Sequence, residues 1–336
     1  MLNGIAKLLR GRIGKILIVG LVIVLIACAL LVAVHVYDNR NGEFKGEGDE
    51  NVGSFKTIEY GGKTYVYNDA IETVLVVGLD AFGKTVENDS YNNNRQADFL
   101  VLLVLDRNNG TCSAIHINRD TMAEVPVLGI TGQQVSVATQ QISLSHTYGN
   151  GGLDSCKNVA VTVSRMMYDL PIDSYISMTM DGIKELNDLL GGVTLTVLDD
   201  FTGVDDTLIE GETVTLMGEH ALNYVRSRQN LEDSTNEHRM VRQRQYMEAL
   251  YAQGKEMAEK NDGFVLDVVT ALDDYVVSNC SISQIDDLFD KIMEYEFIGI
   301  DVVEGKTVKG EQYMEFYYDS DALKKLVVDT FYTVEK

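Results

Sequence analysis

Arg226, Arg228, Arg239, Arg242 and Arg244 fall within the segment Tyr224 to Gln245, in a chain whose charge otherwise runs strongly acidic. Guanidinium groups gathered against the prevailing charge are most simply explained by an anionic ligand, and their planar forks suit phosphate oxygens. Ser234 and Glu237 have capping-box spacing, which predicts a helix start. On that helix Arg239, Arg242, Gln243 and Tyr246 recur on one face. Arg226 and Arg228, two apart, point the same way if the chain there is extended. Two such pairs could clamp a diphosphate. The plainer alternative is a solvated helix face answering surface carboxylates.

Asp80 and Asp98 close a set of a second kind. Each is expected at the end of a strand, and two carboxylates suit a hard divalent ion such as Mg²⁺, commonly completed by phosphate oxygens and water. Aspartate at a strand end also serves as an ordinary turn or cap residue. Arginines for phosphate and carboxylates for Mg²⁺ are together the two halves of a phosphoryl-transfer site. Other chemistries lack their signatures. GLDAFGKT has no P-loop spacing, and neither a Gly-x-Ser-x-Gly elbow nor an HExxH motif occurs. His146, beside a Gly-rich turn, reads as structural and not as a general base. His116 reads as a packed core residue, and Met166, Met167 and Tyr168 as core-face packing.

These residues need a scaffold of strands interleaved with helices. VLVVGLD is an apolar run that delivers Asp80 at its tip. The segments from Phe99 and from Thr111 flank Asn108, Asn109 and Gly110 and predict an antiparallel hairpin that brings Asp98, Arg119 and Asp120 near strand ends. IEYGGKTYVY predicts a smaller hairpin. Helices are expected over LDSCKNVAVTVSRMMYDL, over GIKELNDLL with Asp181 as its cap, over LMGEHALNYV, and over about 236 to 260, 264 to 277 and 281 to 295. Ser281 is the expected cap of the last of these. Strands are expected through Tyr175 to Met180 and over VTLTVLDD. A hairpin of IGIDVV with QYMEFYYD and a helix capped by Ser320 complete the chain. The fold class is therefore α/β, in one domain from 70 to 336.

The chain has 336 residues, with 28 basic and 51 acidic side chains. That balance excludes a nucleic-acid binder, which needs a broad basic face. Residues 1–37 hold Lys7, Arg10, Arg12 and Lys15 and no carboxylate, so 28 minus 4 leaves 24 basic residues against 51 acidic ones beyond them. Ile16 to Val34 is free of charge and, at about 1.5 Å per residue, spans roughly the hydrocarbon core of a bilayer. The expectation is a cytoplasmic basic tail over 1–15, an uncleaved signal anchor over 16–36, a linker over 37–69 and an extracytoplasmic domain beyond it in the cell membrane. A cleaved signal peptide competes, but the apolar run is longer than its h-region. Cys112, Cys156 and Cys280 lie outside the span. Cys156 could pair with Cys280, or all three could be reduced and buried.

VLVVGLD, RQADFLVLLVLD, INRDT, the YGNGG turn, LLGGV, and ALNYVRSR followed by RMVRQRQ together resemble the LytR-CpsA-Psr family, in consistent order over about residues 70 to 255. The resemblance implies an α/β/α sandwich on a mixed sheet, with an N-terminal transmembrane helix. It also implies a Mg²⁺-dependent transferase that moves a glycopolymer phosphate from a polyprenyl-pyrophosphate carrier to a peptidoglycan hydroxyl. By matching position, Asp80 and Asp98 would be metal-associated, with Asp80 also the candidate base. Arg119, Arg226, Arg228, Arg239 and Gln243 would bind pyrophosphate, with Arg242 in the same signature. Two positions depart from the pattern: Arg95 stands three residues before Asp98, and Asn236 replaces an aspartate that Asp233 could have supplanted. The alternative function is a non-catalytic surface sensor or scaffold that binds polyprenyl phosphates or wall glycan.

Overall fold

Strand residues that are apolar on both faces need cover on both faces, and that requirement organises the molecule. The computed structural model describes residues 57–88, 91–227, 236–261 and 264–335. Its central sheet is formed by β1 (Ile71–Leu79), β2 (Ala97–Asp106), β3 (Thr111–Ile117), β4 (Ser174–Met178), β5 (Val276–Ser278) and β6 (Glu296–Val302), in the order β5-β4-β1-β2-β3-β6. β1 pairs antiparallel with β2 and parallel with β4, β3 pairs antiparallel with β2, and β6 lies parallel to β3. The sheet is therefore mixed.

Side chains alternate between two cores. Val74, Val76, Val101 and Leu103 enter one; Leu75, Val77, Leu100 and Leu102 enter the other. The second core is closed by α1 (Leu153–Met166) and α7 (Ser320–Phe331). The first is closed by α2 (Met180–Leu189), α3 (Glu219–Arg226), α4 (Asn236–Lys260), α5 (Phe264–Leu272) and α6 (Ile282–Glu294). Helices thus cover both faces of the sheet.

The turn between β2 and β3 follows the expected chemistry, with Asp106 accepting from the Asn108 amide at 2.8 Å and Gly110 at positive φ. Thr57–Tyr60 and Lys63–Tyr67 form the small hairpin, joined by Tyr332–Val334. Ser281 caps α6 in a full capping box with Gln284.

Other expectations are corrected. Asp181 does not cap α2; its carboxylate accepts from the Gly83 amide at 2.6 Å. Asp319, one residue before Ser320, caps α7 by accepting from two amides. The helix expected over 264–277 stops at Leu272, because the chain must become β5 and pair with β4. IGIDVV is not half of a hairpin with QYMEFYYD. It lies in β6 at the edge of the central sheet, and Met314–Tyr318 pairs instead with Gly305–Lys309. The apolar stretch 16–34, Cys28, Arg228, Asp233 and Ser234 lie outside the described residues, among which no helix is long and apolar enough to cross a membrane.

Cys112, Cys156 and Cys280 are free and buried. Cys156 packs in one core and Cys280 in the other, so the sheet stands between them and they do not pair. Burial pushes the Cys112 and Cys156 thiols up to about 12.

Candidate active site

Asp98 is placed by a register shift. Leu79 pairs with Ala97 and Gly78 with Phe99, so Asp98 is the extra residue of a bulge in β2. The bulge breaks the alternation of faces: Ala97 and Leu100 enter the same core, while Asp98 and Phe99 both face a groove between the sheet and α2, α3 and α4. Gly78 makes room, because a Cβ there would sit 2.9 Å from that of Phe99.

Two guanidinium groups converge on the re-aimed carboxylate. Arg119, just past β3, meets Asp98 Oδ1 at 2.6 Å, and Arg239, in the first turn of α4, meets Oδ2 at 3.2 Å. All three side chains are under a tenth exposed. Burial of this kind demands partners for every polar atom. Arg119 also donates to Ser143 Oγ at 3.0 Å and to Gln96 Oε1, and its Nε lies 3.4 Å from Asp120. Arg239 donates to Asn236 Oδ1 at 2.6 Å, and Asn236 in turn donates to Asn118 Oδ1 at 2.7 Å. Asn236 thus steadies the arginine from one turn away, as an aspartate would, without adding charge.

Asp80 follows β1 on the same rim and holds Arg226, whose Nε and Nη2 both lie 3.1 Å from Oδ1. This pair is more open, with Asp80 34% and Arg226 46% exposed. Behind it α4 clamps the end of α3, where helix carbonyls lack intrahelical donors. Gln243 donates to Val225 O at 3.1 Å, Arg242 donates to Ser227 O, and Tyr224 donates to Gln245. Arg242 is further held by Asp199 at 3.0 Å and lies over the Phe201 ring. Its guanidinium belongs to this clamp and stands apart from the Asp98 cluster.

The groove has a volume of about 90 Å³. Asp98, Arg226 and Arg239 mark its polar end; Val76, Met178, Ile183, Leu186, Met247 and Leu250 make the rest apolar. Arg239, Gln243, Tyr246 and Leu250 all line it from α4, and the eleven-residue step from Arg239 to Leu250 corresponds to about 16 Å along the helix axis.

The structure therefore brings together Asp98, Arg119 and Arg239, sets Asp80 with Arg226 on the same rim, and gives Gln243 a place on the groove wall. Arg95 points elsewhere, donating to Gly151 O at 3.3 Å. His146 is wholly buried with Nδ1 2.9 Å from Arg95 O, and burial lowers its pKa to about 4; His116 falls to about 3 by burial and the nearby Arg244 and Arg239 charges. Both rings are held neutral by burial, and neither lines the groove. Gln96, Ser143 and Asp199 escaped the sequence reading because each serves the site only through tertiary contact, and none sits in a periodic pattern.

The donor chemistry fits a divalent cation. Arg119 and Arg239 against Asp98 and Asp120 sum to zero, as do Arg226 and Asp80. The array is thus close to neutral, and carboxylate oxygens such as those of Asp80 and Asp98 are the ligands that a divalent ion takes. Among the described residues no group of three or more His, Cys, Asp or Glu could hold a metal, so phosphate and water oxygens would have to complete the shell.

Known proteins share this framework. The chain is similar to the polyisoprenyl-teichoic acid–peptidoglycan teichoic acid transferase TagU of Bacillus mycoides (strain KBAB4), 27% identical over 217 residues that cover 64% of this chain and 62% of that protein. The match thus covers less than two thirds of that relative's length. It is similar also to TagU of Bacillus cereus (strain AH820), 26% identical over 255 residues, 75% of each chain. Among solved structures it resembles TagT bound to LIIa-WTA, with a TM-score of 0.60 and 21% identity over 84% of this chain and 95% of that one. TagV of B. subtilis gives a TM-score of 0.55 at 20% identity, covering 78% and 98%. At these identities the structural likeness concerns the fold. The LytR_cpsA_psr family matches residues 43–332, most of the chain, and the protein belongs to that family.

Proposed function

We propose that this protein is a membrane-anchored, extracytoplasmic phosphotransferase that moves a glycopolymer phosphate from a polyprenyl-pyrophosphate carrier to a peptidoglycan hydroxyl. The observation that carries the reading is the convergence of Arg119 and Arg239 on Asp98 at the polar end of an apolar groove. An anionic head with an oily tail is the ligand that such a gradient recognises. The names of the TagU relatives, transferases of polyisoprenyl-linked teichoic acid to peptidoglycan, support the same class. A donor whose tail stays in the bilayer also gives the apolar stretch 16–34 a purpose, since an anchor there would hold the groove at the membrane surface.

In this reading Arg119, Arg239 and Arg226 exchange their carboxylate partners for diphosphate oxygens. The guanidinium forks fix the donor and stabilise charge as it develops on the departing phosphate. Asp80, the more open carboxylate, accepts the proton of the acceptor hydroxyl. That oxygen then forms a bond to the sugar-linked phosphorus, the bond from this phosphorus to the bridging oxygen breaks, and polyprenyl monophosphate leaves. Asp80 and Asp98 would hold Mg²⁺, which when bound supplies positive charge at the phosphate oxygens. Gln243 and Arg242 keep the end of α3, and so Arg226, in place; Arg228 is assigned to the same diphosphate.

The test is a reconstituted reaction. Full-length protein in detergent, a polyprenyl-diphosphate-linked oligosaccharide and peptidoglycan should yield wall-linked glycan and free polyprenyl monophosphate with Mg²⁺ present. Arg239→Ala should abolish both binding and transfer. Tight donor binding without any transfer under these conditions would leave a sensor or scaffold and remove the enzymatic reading.

A further inference from the structure

Phe82 is a large apolar side chain left 55% exposed at the rim of the groove, two residues after Asp80. Single exposed apolar residues are common on protein surfaces, so exposure alone argues nothing. Its setting argues more. The Arg226 guanidinium carbon lies 5.4 Å from the Phe82 ring centroid, within cation–π range. The backbone around the ring is pinned: the Asp80 amide donates to Gln96 O at 2.9 Å, the Met180 amide to Ala81 O at 2.9 Å, and the Gly83 amide to Asp181 Oδ2 at 2.6 Å. Phe82 is thus a half-open aromatic ring carried on a pinned backbone.

Arg226 lines the groove and Phe82 does not, so the arginine is the boundary between the two. On the proposed function, which this inference deepens, the donor has three parts in series: lipid, diphosphate and sugar. The apolar wall running to Leu250 takes the lipid and the guanidinium groups take the diphosphate. The unit on the far side of Arg226 from the groove is then the first sugar. A pyranose has one face of C–H groups, weakly positive at hydrogen, and an aromatic ring carries negative charge on its face. We propose that Phe82 is a substrate-positioning residue that stacks on the diphosphate-linked sugar ring while it braces Arg226, so that the site prefers a pyranosyl donor over a bare polyprenyl diphosphate.

The chain contains no tryptophan, which makes the test direct. Full-length Phe82→Trp carries a single indole, and its emission is followed while geranyl diphosphate, or geranyl diphosphate linked to N-acetylglucosamine, is added. The expected result is a blue shift with the sugar-linked ligand and little change with the bare one. In parallel, Phe82→Leu should weaken the sugar-linked ligand about three- to tenfold by calorimetry. It should leave the bare diphosphate within about twofold, and Phe82→Tyr should restore wild-type preference. Equal indole responses to both ligands, or an equal loss of both in Phe82→Leu, would overturn the sugar platform and leave Phe82 a brace for Arg226 alone. If the wild-type protein binds neither ligand, the proposed function fails first and the inference falls with it.

Discussion

Asp98→Asn separates the two tasks assigned to this carboxylate, holding two buried arginines and holding a metal. Asp98 belongs to a cluster of four charges, Arg119 and Arg239 against Asp98 and Asp120, and the substitution takes their sum from zero to plus one. A carboxylate charge about 5 Å from a bound phosphate charge opposes it by about 3 kcal/mol at an effective dielectric constant of about 20. If half of that is lost to relaxation and solvent, Asp98→Asn should bind geranyl diphosphate about tenfold tighter than wild type in the presence of a chelator. The free protein should meanwhile be less stable. Leaving a buried charge uncompensated costs about 3 kcal/mol or more, which lowers the melting temperature of a domain this size by about 6–12 °C. The anion should return part of that loss. Adding Mg²⁺ should tighten binding in wild type, leave the variant unchanged, and support transfer in wild type only. Calorimetry with and without chelator, together with thermal melts, reads all of this. Weaker binding of the variant in chelator, or an undiminished response to Mg²⁺, would refute the reasoning.

Further expectations rest on separate residues. Arg242→Met should lower the melting temperature and raise the donor KM, because Ser227 O and Asp199 lose their partner; Arg242→Lys should not restore either, since an ammonium lacks the fork. Ile183→Trp, which fills the apolar part of the groove, should abolish binding of long-chain polyprenyl diphosphate while inorganic diphosphate still protects the protein in thermal melts. His146 and His116, whose folded pKa values lie near 4 and 3 against 6.5, contribute stability that is present above pH 6.5 and lost as pH falls. Between pH 7 and 5 the two together should remove about 4 kcal/mol, and His146→Gln should flatten that slope in melts taken across the range. Cys112, Cys156 and Cys280 should resist maleimide in the native protein and react after unfolding, as mass spectrometry would count.

Much of the scaffold was legible because burial on both faces writes itself as continuous apolar runs. VLVVGLD and FLVLLVLDR became β1 and β2, and the Asn-Asn-Gly turn gave the hairpin. Capping by Ser281 was legible because its partner Gln284 is local. Where pairing is distant, local signals misled. IGIDVV carries a strand pattern but no mark of its partner, and it joined β3 from nearly two hundred residues away. Asp181 had the spacing of a cap but was drawn to the Gly83 amide across the rim.

For the site, the arginine types and helical spacing pointed to the right face of α4, and Arg239 and Gln243 reach the groove from it. The same periodicity could not distinguish Arg239, which meets Asp98, from Arg242, which turns to Asp199 and the end of α3. Nor could it reveal the bulge that swings Asp98 into the groove, since a one-residue slip leaves no trace in composition. The gathering of arginines beside the groove was thus readable from residue type, and its division between those that meet Asp98 and those that clamp the end of α3 was not.

The central claim is that the polar end of the groove transfers one particular phosphate. A donor labelled with ³²P only in its sugar-linked phosphate, incubated with the full-length protein, Mg²⁺ and peptidoglycan, tests it most directly. The account predicts that label enters the wall fraction while unlabelled polyprenyl monophosphate is released, and that Arg239→Ala stops both. Label remaining in the lipid fraction, or appearing as free labelled phosphate, would contradict it.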